Sequence, residues 1–155
     1  MKKMLNRLQG IFESFRKFDV HYVVIGGIAA VLHGVPRATF DLDLLIEASP
    51  ENGENLLSAL HDAGLGTATL ISPHDLLKNE ITVFKDFVRI DVQTSTPGLE
   101  FSEAWARRVR MSYGGTEFYV LALEDLIASK TASGRKVDLE DVRLLTIKRE
   151  SKKME

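Results

Sequence analysis

The run Phe40-Asp41-Leu42-Asp43-Leu44-Leu45-Ile46 alternates carboxylate and leucine before closing on apolar residues. In a strand, successive side chains point to opposite faces, so this alternation predicts an extended segment over residues 41–48. Leu42 and Leu44 then face a core, while Asp41 and Asp43 stand side by side on the other surface. Two carboxylates held together beside an apolar sheet repel, and they stay partly protonated unless a cation neutralises them. A later run, Val88-Arg89-Ile90-Asp91-Val92, repeats the pattern with Val88, Ile90 and Val92 inward and Asp91 outward. If the two strands are neighbours, the carboxylates of Asp41, Asp43 and Asp91 converge.

Upstream, residues 2–18 place Leu5, Leu8, Ile11, Phe12 and Phe15 at three- and four-residue intervals, which predicts an amphipathic helix. Val20 to Ile25 is a β-branched and aromatic run that ends at Gly26-Gly27, and Ile28 to His33 reads as a short helix closed by Gly34. Ser49-Pro50 supplies an N-cap and a first helical residue for a helix over 50–63. Ile81–Phe84 and Phe87–Thr94 form an antiparallel hairpin through Lys85-Asp86, and Arg108–Val120 a second one around Gly114-Gly115. Two helices follow, over 123–133 and 138–149, the second with Asp138 in the N-cap position. The architecture expected is α+β: a small mixed β-sheet packed by helices, one domain over residues 1–150, and a disordered tail over 151–155.

The balance of 45% hydrophobic and 27% charged residues in 155 is that of one compact domain with a core. A net charge of −2 gives no global attraction for nucleic acid, so any such contact must come from a local basic patch. There is no cysteine, which removes disulfides and thiolate zinc sites and leaves carboxylates and four scattered histidines as metal ligands. A hard, oxygen-bound cation is the natural candidate. The first residues lack the apolar block of a signal peptide, and no stretch is long and apolar enough to span a membrane, so a cytoplasmic protein is expected.

Three converging carboxylates suit a site with two magnesium ions, or manganese, in which one activates the attacking oxygen and the other steadies a triphosphate. Gly26-Gly27, between strand and helix, offers bare backbone amides to phosphate. Arg37 and Thr39 add a guanidinium and a hydroxyl just before the carboxylates. The four histidines have no ligand spacing and are assigned to packing or surface. Trp105, with Arg107, Arg108 and Arg110, reads as a helix end with solvated arginines and stays outside the site.

The stretch VVIGGIAAVLHGVPRATFDLDLLIE resembles the DNA polymerase β-like nucleotidyltransferases, which order a Gly-Gly or Gly-Ser turn, a short helix, an Asp-x-Asp strand and a third Asp on a later strand. The resemblance implies catalytic and metal-binding roles for Asp41, Asp43 and Asp91, and phosphate binding at Gly26 and Gly27. The stretch LEDLIASKTASGRKVDLEDVRLL is similar to the helices of minimal members of the abortive-infection toxin type, which implies nucleotide binding by Lys130 and Asp138, with Arg135 between them. One departure stands out: Gly27 occupies a position where many relatives have serine, so a hydroxyl contact to the phosphates is missing. The function implied is magnesium-dependent transfer of a nucleoside monophosphate from a nucleoside triphosphate to a hydroxyl acceptor. Little chain remains to wall in a small acceptor, which favours an RNA 3′ end or a protein side chain. A homodimer, or a toxin–antitoxin partnership, is expected as the setting. The competing expectation is a catalytically silent nucleotide-binding or interaction module of the same fold. Haloacid-dehalogenase phosphatases also use Asp-x-Asp but want Thr or Val where this chain has Leu45, and sugar-nucleotide glycosyltransferases need a larger domain.

Overall fold

The computed structural model describes residues 1–154. Helix α1 (Lys2–Lys17) leads into strand β1 (Tyr22–Ile25), helix α2 (Gly26–Leu32) and strand β2 (Leu42–Ile46). Helix α3 (Pro50–Asp62), a 3₁₀ turn (Gly66–Leu70) and helix α4 (Pro73–Lys78) precede the hairpin of β3 (Ile81–Lys85) and β4 (Arg89–Gln93). Helix α5 (Phe101–Ala106), the hairpin of β5 (Val109–Tyr113) and β6 (Thr116–Val120), and helices α6 (Leu123–Ser133) and α7 (Lys136–Lys153) complete the chain.

The strands form one six-stranded mixed sheet in the order β3-β4-β2-β1-β6-β5. β2 runs parallel to β4 and β1 parallel to β6, while β1/β2, β3/β4 and β5/β6 are antiparallel. Parallel neighbours cannot be joined by a tight turn, and the segment from α3 through β3 makes that crossover between β2 and β4. The α+β class and both hairpins are as the sequence implied.

The core lies between α1 and the sheet. Leu5, Leu8, Ile11, Phe12 and Phe15 of α1 are all buried, and the Phe12 ring stacks on Phe118 with centroids 4.5 Å apart. At the start of α3 the Ser49 hydroxyl accepts from the Asn52 amide at 3.2 Å, with Pro50 at the first helical position. Asn52 is itself buried. Its side chain accepts from the His21 amide at 2.8 Å and donates to the carbonyls of His21 at 3.0 Å and Glu47 at 2.9 Å, which ties together the outer ends of β1 and β2.

Three local expectations needed correction, and three short elements went unread in the sequence. Helix α2 begins at Gly26, so the glycine pair is its first turn and not a separate loop. The 3₁₀ turn, α4 and α5 are too short to carry a legible period. Asp138 is not an N-cap: α7 starts at Lys136 after Arg135, and Asp138 lies inside its first turn, turned toward α6. Finally, α7 continues through Lys153, into the stretch expected as a tail, while residue 155 lies outside the described residues. No helix among the described residues is long and apolar enough to cross a membrane.

Candidate active site

Asp41 immediately precedes β2 and Asp43 is its second residue. The parallel pairing of β2 with β4 sets Asp43 directly opposite Asp91. Leu42, Leu44, Ile90 and Val92 are buried on the far side of the same two strands, so the core anchors the register that brings the carboxylates together. Burial is the main force that pushes the Asp43 carboxyl up to about 7, and the negative charges of Asp91 and Asp41 add to it. Lys130 and Arg135 pull in the opposite direction without cancelling it.

Gly26 completes this wall. Its φ of +69° belongs to the left-handed region that favours glycine, and a Cβ there would come 2.3 Å from Oδ2 of Asp43. Both the backbone and the neighbouring carboxylate therefore demand the bare residue.

Across the cleft, α6 and α7 hold a buried ion cluster. Nζ of Lys130, 4% exposed, lies 2.9 Å from Oδ1 of Asp138 and 2.9 Å from Oδ2 of Asp141. Asp138 also accepts from the Ser133 hydroxyl and from Nε of Arg135 at 2.8 Å. Burial would raise its carboxyl, but these donors outweigh burial and hold it at about 2. Gly26, Asp41, Asp43, Asp91, Lys130 and Asp138 all line one open polar cleft of about 430 Å³, with Arg89, Ser133 and Arg135 beside them.

Over residues 3–150 the sequence matches a family described as "nucleotidyltransferase of unknown function (DUF6036)". The chain belongs to this family. No curated protein matches it.

In this family member the remaining expected residues lie off the cleft. Gly27, Arg37 and Thr39 meet one another: a Cβ on Gly27 would sit 2.7 Å from the Thr39 hydroxyl and 3.1 Å from Nη2 of Arg37. A serine at position 27 thus has no room, because Thr39 already holds a hydroxyl in that space. Arg37 is committed to Asp141, which is 1% exposed and accepts from Nε at 3.0 Å and Nη2 at 2.8 Å. The bidentate hydrogen bond to Asp141 raises Arg37 further above its usual range. Burial pushes the Asp141 carboxyl up, yet Arg37 and Lys130 together bring it below the usual value.

Two participants escaped the sequence reading. Arg89 places Nε 2.9 Å from Oδ1 and Nη2 3.2 Å from Oδ2 of Asp91, with Oδ2 of Asp41 3.8 Å away. Its signal was available, since it lies two residues before Asp91 on the same strand and hence on the same face. Asp141 repeats Asp138 one helical turn later, the spacing of neighbours on one helix face. Trp105 and its arginines are remote from the cleft and are not simply solvated. Arg108 stacks 3.7 Å over the Trp105 ring, Arg107 pairs with Asp125 at 2.8 Å, and Arg110 with Glu117 at 3.3 Å. His33 is a packing residue whose ring nitrogen meets the Leu121 carbonyl at 2.8 Å.

The donor chemistry of the carboxylate wall suits a hard divalent ion: it is all oxygen, and burial together with the charges of Asp91 and Asp41 raises Asp43, a cost that a bound cation would relieve. As placed, however, no three Asp, Glu or His side chains among the described residues are gathered tightly enough to hold one ion. Asp91 is turned to Arg89, so a shared ion requires that arginine to yield.

Proposed function

We propose that this family member transfers a nucleoside monophosphate from a nucleoside triphosphate to a hydroxyl of a macromolecule, an RNA 3′ end or a protein side chain. The observation that carries the reading is the in-register pairing of Asp43 with Asp91 beside Asp41, facing Lys130 and Asp138 across one polar cleft. Asp41, Asp43 and Asp91 would hold magnesium, or manganese. The bound ions would neutralise the triphosphate and the departing pyrophosphate. Lys130, fixed by its two carboxylate partners, keeps an ammonium at a defined place on the cleft wall, and Arg135 adds a more exposed cation for the phosphates. Asp91 would accept the proton of the acceptor hydroxyl as the hydroxyl oxygen bonds to the α-phosphorus, while the bond from the α-phosphorus to the α–β bridging oxygen breaks and pyrophosphate leaves. The same reading sets the protein in the cytoplasm, working as a homodimer or as one half of a toxin–antitoxin pair.

Incubation with labelled triphosphates, magnesium and a cell extract tests this directly. Label should enter RNA or protein with the wild type and not with Asp41→Ala or Asp43→Ala; near-normal transfer by either variant rejects the site. A second reading, a nucleotide-binding module without turnover, is favoured by the Arg89–Asp91 pair, which occupies a carboxylate the chemistry needs. The labelling assay separates the two, since a silent module binds the triphosphate without transferring from it. Under the enzyme reading, magnesium and triphosphate together stabilise the protein by more than the sum of their separate effects, because the phosphates complete the coordination begun by the carboxylates. Additive or absent shifts argue against nucleotide binding in the cleft and leave an interaction module of the same fold.

A further inference from the structure

On the opposite side of the β2 and β4 strand starts lies a second groove, of about 360 Å³, between the first turns of α1 and the loop 37–40. Met4, Leu8, Val31 and Val88 form an apolar floor. Lys3, Arg7 and Arg37 are the charged residues on its lining, and all are basic, in a chain whose net charge is −2. Arg7 reaches across to the Phe87 carbonyl and Arg37 is neutralised by Asp141, so Lys3 and Arg7 are the cations on the lining that remain for a ligand. One wall is Phe40, whose large ring is 75% exposed.

We infer that this groove binds single-stranded nucleic acid and presents its end to the carboxylates, so that the acceptor is a single-stranded 3′ terminus. The inference rests on the nucleotidyltransferase reading of the neighbouring cleft. Phe40 directly precedes Asp41, and Val88 directly precedes Arg89, so groove and cleft are separated by one residue along each strand. Groove and cleft open on opposite faces of these strand starts, so a single strand seated in the groove reaches the carboxylates by passing over the edge between Phe40 and Asp41. An exposed aromatic face among basic side chains is the combination that holds single strands: the ring takes a base and the cations take phosphates. A duplex offers no unstacked base to the ring. An apolar protein segment would leave the basic rim without a partner.

The test is fluorescence anisotropy with the full chain and a labelled single-stranded oligoribonucleotide of about a dozen nucleotides, without triphosphate, against a duplex of the same sequence. The single strand should bind more tightly than the duplex. Phe40→Ala should weaken binding roughly five- to a hundredfold, the usual range for one lost base stack. Lys3→Glu should weaken it as well and flatten the salt dependence, by about 0.7 in logarithmic slope per lost phosphate contact. Both positions are exposed, so both variants should melt like the wild type. A wild type that ignores the single strand, or binds it with an affinity that neither substitution changes, overturns the inference; so does exclusive labelling of protein hydroxyls in extract. The magnesium–triphosphate melting shift reports on the cleft alone. A retained shift without oligonucleotide binding removes the groove and leaves the nucleotidyltransferase reading, whereas groove-dependent oligonucleotide binding without that shift removes the transferase reading and supports the groove as a binding site.

Discussion

Asp43→Asn should make the protein more stable at pH 8, by an amount that disappears on acidification. Unfolded, Asp43 titrates near 3.8, and folded it titrates at about 7, with burial as the chief cause and Asp91 and Asp41 behind it. Below the unfolded value both states carry the proton and Asp43 costs nothing. As pH rises through the interval the unfolded state loses its proton first, so stability falls, and above about 7 the cost is fully present. A gap of about three pH units corresponds to about 4 kcal/mol. Asparagine carries no charge at any pH, but its amide needs partners in the cleft, which takes back about 1–2 kcal/mol. The net gain at pH 8 should be about 2–3 kcal/mol, or roughly 4–12 °C in melting temperature for a domain of this size. Urea unfolding of wild type and variant at pH 8, 6 and 4.5, with a chelator present, measures the gap, and groups common to both curves cancel in the difference. Magnesium added at pH 8 should narrow the gap from the wild-type side. A gap that does not change with pH, or a variant less stable at pH 8, would refute the view that Asp43 is a carboxylate held under repulsion.

Three other substitutions probe the supporting structure. Asp141→Asn should cost about 3–5 kcal/mol, because it leaves Lys130 buried with one partner fewer and frees Arg37; a melt within 1–2 °C of wild type would show that the shared carboxylate is dispensable. Gly26→Ala should lower stability by about 2 kcal/mol or more, since its Cβ would meet Oδ2 of Asp43 at 2.3 Å in a left-handed backbone. Gly27→Ser should cost about 1–2 kcal/mol by displacing the Thr39 hydroxyl, and adding Thr39→Ala should recover most of that loss; equal losses in single and double variants would mean that the two side chains do not compete.

Local patterning alone determined the carboxylate face. The two-residue period of Asp41 to Leu44 and of Val88 to Val92 assigns inside and outside without reference to the rest of the chain, and the buried leucines and isoleucine bear that assignment out. The same applies to α1, whose apolar stripe is continuous, and to α3, whose Ser49-Pro50 start is a strong local signal. Gly26, Asp41, Asp43, Asp91, Lys130 and Asp138 were all named from sequence, and the fold brings them to one cleft. Only the tertiary structure decided how they are partnered. Asp138 has the composition of a cap, yet the packing of α6 on α7 makes it the counter-ion of Lys130, because an ammonium that is 4% exposed needs a carboxylate more than a helix start does. Arg37 was read as a phosphate ligand from its place in the loop, but Asp141, over a hundred residues away, claims it. Gly27 looked like a lost hydroxyl until the fold set Thr39 in the space that a serine would need. In each case the deciding contact joins residues far apart in the chain, and sequence periodicity carries no information about which distant groups will share a buried charge or a few ångströms of space.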